Sequence, residues 1–194
     1  MAIIGNRPTI ALAKTRWRKQ GPRSLADRAG VIGANVWKIS LQVFRHMEKE
    51  GFRFSSDRMV TDVLAECIAF LVQFADRAVY GRLDEADRAT LIGETARHLA
   101  ATFKNNQLDL FGPGEHRQAF IDRLNARFDA YSTFEYDGRT PGFACLRFFA
   151  GQVDEAMAPA GNKWVVEQVL ELEAPEMVRA MAKLIDQVVE PTGA

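Results

Sequence analysis

Two pairs of side chains have the spacing of metal ligands: Asp62 with Glu66, and Glu94 with His98. Each pair lies at i and i+4, which brings both members to one face of a helix. Two such helices side by side could hold a metal ion. Dinuclear sites in helical bundles, however, draw on Glu-x-x-His from two helices together with two further glutamates, and the sequence contains no Glu-x-x-His. Glu66, Glu94 and His98 therefore stand as the metal candidates of a chain in which no cofactor is expected. His98 alone reads more simply as a histidine packed between helices. There is no phosphate-binding glycine-rich loop, no nucleophile elbow and no paired-cysteine metal motif, so the sequence offers no support for an enzyme.

A second constellation is the run Gln107, Leu108, Asp109, Leu110, Phe111. Residues 105–114 open on Asn105 and Asn106, close on Gly112, Pro113 and Gly114, and read as a loop. Three large apolar side chains in such a loop need a reason. The five residues resemble the short peptide by which many bacterial replication and repair proteins dock on the ring-shaped DNA sliding clamp. That resemblance implies an extended motif: backbone pairing sets the register, Leu110 and Phe111 fill pockets, and the Gln107 amide meets polar groups at the rim. It makes residues 107–111 the expected partner-binding segment and the sliding clamp the sharpest partner expectation. The alternative is that Leu108, Leu110 and Phe111 fold back over a helix end.

Residues 22–41, PRSLADRAGVIGANVWKISL, resemble a helix-turn-helix element. Ala26, Gly30, Val31, Val36 and Ile39 occupy the places of its small residue, turn glycine and three apolar contacts. The resemblance implies that Gly33, Ala34, Asn35 and Lys38 face a DNA groove while Arg16, Arg18, Lys19 and Arg23 meet phosphates. Against it, Leu25, Ala29, Ile32, Val36, Ile39 and Val43 form an apolar seam that continues to Met47, the pattern of one long amphipathic helix. The single structural helix is the preferred reading.

Charge is distributed unevenly. Residues 1–53 carry eleven Lys/Arg and three Asp/Glu, and the remainder fourteen and twenty-two, although the chain of 194 residues is neutral overall. A basic arm of residues 1–23 can meet nucleic acid, an anionic surface or the acidic body itself. Cys67 and Cys145 both lie in apolar helical stretches, which argues for buried thiols in a reducing compartment. Charges interrupt every apolar run short of bilayer length, and no signal-type hydrophobic block opens the sequence. A cytoplasmic protein of bacterial type without a membrane partner is expected.

Positioning these residues falls to helices. Residues 57–80 carry the most apolar stripe, from Val60 to Ala78, behind a Ser56 cap. Asp84 caps a helix to about Phe103. Further helices are expected at 115–131, at 141–157 after a Thr140 cap with Pro141 in first position, from an Asn162 cap to about Glu173, and from Pro175 to about Val189. The expected fold is all-α, an irregular single-domain bundle of about seven or eight helices over residues 24–194. The expected function is a non-catalytic helical interaction or regulatory protein. Alternatives are a DNA-binding regulator and a helical ligand carrier or enzyme lined by Phe143, Phe148, Phe149 and Trp164. A homo-oligomer is expected, because Trp37 and its neighbouring apolar stripe are hard to cover in one small bundle.

Overall fold

The computed structural model describes residues 24–189; the basic arm, with Arg16, Arg18, Lys19 and Arg23, lies outside the described residues. The fold is all-α, with 81% of the described residues helical and six helices rather than seven or eight. Helix α1 (Leu25–Lys49) starts on a capping box in which Ser24 Oγ accepts from the Asp27 amide at 3.1 Å and Asp27 returns a bond to Ser24. It is unbroken, so the turn of the helix-turn-helix reading is not formed: the seam from Ala29 to Met47 is buried along one face and outweighs the glycines. Gly33 is needed where α1 crosses the next helix but one, because a Cβ there would lie 2.8 Å from His98 Cδ2. Asn35 bonds back to the Val31 carbonyl at 2.9 Å, and Lys38 is exposed.

Helix α2 (Asp57–Val79) is capped by Ser56, whose Oγ accepts from the Met59 amide at 3.1 Å. It is apolar almost all round, and a helix of that kind has to be enclosed. It packs against all five of the other helices. The most apolar helix is therefore the axis of the bundle. Its Phe70 stacks on Phe149 at 4.3 Å between ring centroids. Helix α3 (Glu85–Phe111) is capped by Asp84 as expected. It runs eight residues past Phe103, because Asn106 bonds within the helix to the Thr102 carbonyl and Gln107 continues the buried face. Gly112, at φ +77°, and then Pro113 stop it.

After α4 (His116–Ser132) comes a small hairpin that periodicity did not foresee: Tyr136–Asp137 pairs with Thr140–Pro141 across Gly138 at φ +58°. Thr140 and Pro141 are thus a strand, and the next helix, α5 (Phe143–Met157), begins on Gly142 instead. A 3₁₀ turn, Ala158–Ala160, follows. The last helix, α6, joins an α-helical start (Val165–Gln168), a π-helical stretch (Val169–Glu173) and an α-helical remainder (Ala174–Val188). Pro175 lacks the amide that an α-helical interior needs, and the wider π turn before it absorbs that defect without a break. Two expected helices become one. Trp37 is enclosed within the chain, its ring edge-on to Phe103 at 6.3 Å, so it does not require a second copy to cover it. No helix among the described residues is long and apolar enough to cross a membrane.

Candidate functional site

The buried axis has one polar edge. Arg58, Asp62 and Glu66 recur every four residues on α2 and so share a face, and α4 meets the last two with arginines at the same spacing. Arg123 Nη2 lies 2.8 Å from Asp62, while Arg127 grips Glu66 through Nε at 2.6 Å and Nη2 at 3.0 Å. Glu66 is only 3% exposed, and a carboxylate so placed persists because it is paired. The bond to Glu66 in turn raises the Arg127 pKa above the usual guanidinium value. A cleft of about 190 Å³ opens beside these pairs toward Gln152 and Glu155 of α5. Neither arginine was singled out from sequence, although Arg123 and Arg127 repeat the spacing of Asp62 and Glu66.

The metal candidates are not brought together. Glu66 is held by Arg127, Glu94 pairs with Arg97, and His98 faces α1. Among the described residues no group of three or more His, Cys, Asp or Glu could hold a metal ion. Burial lowers the His98 pKa, and its Nε2 has no hydrogen-bond partner in the described structure. These are the properties of a histidine packed between helices.

Residues 107–111 are the last turn of α3 rather than a loop. Gln107 is buried, Leu108, Leu110 and Phe111 are half-buried, and only Asp109 is exposed. The Arg58 guanidinium sits 4.9 Å from the centre of the Phe111 ring. The backbone is engaged in the helix, with the Gly112 amide donating to the Leu108 carbonyl at 2.9 Å, so the extended geometry implied by the clamp resemblance is not the one adopted.

A third feature was not legible in the sequence at all. His46 Nδ1 and Gln168 Nε2 approach the same oxygen of buried Glu173, at 2.6 and 2.9 Å. A carboxylate-oriented imidazole is half of a general-base pair. The groove it opens on, about 260 Å³, is lined by no hydroxyl or thiol among the described residues. The His46 bond ties α1 to the π-helical stretch, and the Gln168 bond lies within α6.

The fourth feature is Trp164. Its backbone is left-handed, φ +66°, the one non-glycine residue at positive φ among those described, and it is 72% exposed. It starts α6 without a side-chain cap. Asn162, expected to be that cap, instead locks two loops: its Oδ1 accepts from the Arg53 amide and its Nδ2 donates to the Arg53 carbonyl, both at 2.8 Å. Between the loops lies an open groove of about 360 Å³ bordered by Phe52, Arg53, Lys163 and Trp164. Phe149 is in the core while Phe143 and Trp164 face solvent, so the aromatic residues expected to line one ligand cavity do not surround a common space. Comparison of the chain with protein-family models, with curated proteins and with solved structures finds no match.

Proposed function

We propose that this chain is a non-catalytic helical interaction protein that meets its partner with the loop pair holding Phe52 and Trp164. The observation that carries the reading is Trp164 itself. A left-handed backbone costs an ordinary residue about 1–2 kcal/mol, and an N-cap without a side-chain acceptor forgoes about 1 kcal/mol more. Asparagine or glycine would avoid both penalties or the larger of them. A tryptophan kept there and turned to solvent has the character of a binding anchor, and strain of this kind gathers where function requires it. Asn162 fixes the two loops before any partner arrives, which lowers the entropy lost on binding. Arg53 and Lys163 beside the indole favour a partner segment that pairs an apolar anchor with acidic neighbours.

The test is site-specific photo-crosslinking in the native host, with the photoreactive side chain at position 164, at 111, or at the equally exposed Phe143 as control. A discrete protein adduct at 164 and not at 143 supports the reading. Adducts that are the same at both positions overturn it. Crosslinking to the sliding clamp from position 111 alone would replace it with the clamp reading.

A further inference from the structure

A small cavity of about 80 Å³ lies between α2, the last turns of α3 and the start of α4. Its floor is apolar, with Phe103 and Phe120 stacked at 4.4 Å between centroids. Its rim is not. Arg58 and Arg123 border it, and Asp62 is already engaged by Arg123, which leaves the group one positive charge in surplus. Arg58 is exposed, and its guanidinium meets the Phe111 ring but no carboxylate among the described residues. Stacking on an aromatic face holds a guanidinium in place while leaving its N–H groups open.

Gln107 supplies the independent observation. It is 5% exposed, lines this cavity, and its side-chain amide has no hydrogen-bond partner among the described residues. The amide is not sealed in, since the buried side-chain polar atoms without a partner among the described residues belong to Arg28, Arg77, His98 and Tyr131, so it stays open to the cavity and available to what fills it. The neighbouring buried amide, Asn106, bonds to the Thr102 carbonyl at 2.9 Å, so an intrahelical partner is what this part of α3 ordinarily provides. His116 closes the remaining side, with its Nε2 fixed on the Gly112 carbonyl at 2.7 Å.

We infer that this cavity binds a carboxylate carried on a short apolar stem, with Gln107 and Arg58 donating to the carboxylate and Phe103 and Phe120 receiving the stem. The carboxylate belongs to a free short-chain acid or to an acidic side chain of a peptide. Convergent polar groups over an apolar floor are the usual make-up of a small-molecule site. The inference is independent of the Trp164 reading, since no residue is shared.

Heteronuclear NMR on the full chain decides it, following the Gln107 side-chain amide signals, which are assigned by their loss in Gln107→Leu, and the backbone amide signals of Phe103 and Phe120 in the cavity floor, which report binding in every variant. The probes are n-butyrate, n-butylammonium as the charge-reversed control, and the blocked tripeptide acetyl-Ala-Glu-Ala-amide. The expected result is a saturable shift with butyrate, the tripeptide or both, and none with butylammonium; which probe saturates identifies the source of the carboxylate. Arg58→Met keeps the stem on an exposed position and should weaken binding by about tenfold, the loss of one charge-assisted contact. Gln107→Leu should remain folded and bind no better than Arg58→Met. Shifts that stay linear to high concentration, that butylammonium reproduces, or that survive both substitutions unchanged overturn the inference.

Discussion

Replacing Trp164 by glycine and by alanine isolates the backbone strain on which the proposed function rests. At an ordinary N-cap glycine is already the more stable of the two by up to about 1 kcal/mol. At φ +66° the gap widens. Alanine keeps the left-handed cost of about 1–2 kcal/mol and glycine sheds it, so the net preference is about 2 kcal/mol for glycine. Both variants lose the covered part of the indole. With 72% of the residue exposed, about 70 Å² is covered out of about 250 Å², worth about 1.5–2 kcal/mol at 25 cal/mol per Å². The expected result in equilibrium urea unfolding at 25 °C is therefore wild type and glycine within about 1 kcal/mol of each other, and alanine about 2 kcal/mol below them. In melting temperature, the gap between the two variants is about 4–8 °C. A gap of about 1 kcal/mol or less, which an ordinary N-cap would give, would mean that the backbone at 164 is not left-handed, and the strained-anchor argument would fall with it.

Arg127→Met strands the Glu66 carboxylate in the core, and urea unfolding should show a loss of about 2–4 kcal/mol; a loss under about 1 kcal/mol would mean that Glu66 reaches water. Gly33→Ala gains about 1 kcal/mol of helix propensity but sets a methyl 2.8 Å from His98 Cδ2, and overpacking of about 1–3 kcal/mol should make the variant less stable. If it is more stable, α1 and α3 do not approach as closely as described. His98 has its folded pKa lowered by burial, so below the unfolded value of about 6.5 the unfolded chain takes up a proton that the folded chain refuses. Stability should fall from pH 6.5 down to the folded pKa. Thermal melts across this window should show a shallower fall for His98→Gln, and parallel curves would refute the assignment.

The parts of this fold readable from sequence are those decided by local chemistry. Ser56 and Asp84 were recognisable caps because a short acceptor stood just before an apolar-periodic run, and the apolar circumference of α2 marked it for enclosure. The errors share a cause. Asn105 with Asn106, and Thr140 with Pro141, were read by residue type as a helix end and a helix start, but their fate was set by what the flanking chain packs against. Gln107 continues the buried face of α3, and this outweighs the breaking tendency of two asparagines. At the candidate sites the sequence supplied Glu66 and Gln107 without their surroundings. Arg127, which pairs with Glu66, Arg58, which borders the same cavity as Gln107, and the two halves of the His46–Glu173 pair are each brought in by a different helix. Trp164 was invisible for a different reason: positive φ is associated with glycine and asparagine, and nothing in an indole announces it.

The π-helical stretch has a consequence for how the chain tolerates insertion and deletion. Val169–Glu173 bonds at i→i+5, so it takes in one residue more than the α-helical turns it replaces while leaving nearly unchanged the angular phase between Val165 at one end and Met177, Met181 and Ile185 at the other, all four of them buried. Removing a single residue from it would restore uniform α-helix with both faces still turned into the bundle, whereas removing one from the α-helical remainder ahead of Met181 would turn everything beyond by about 100° and swing the methionine face outward. The wide turn is slack in a gear train: a tooth lost there leaves both ends aligned, and a tooth lost beyond it does not.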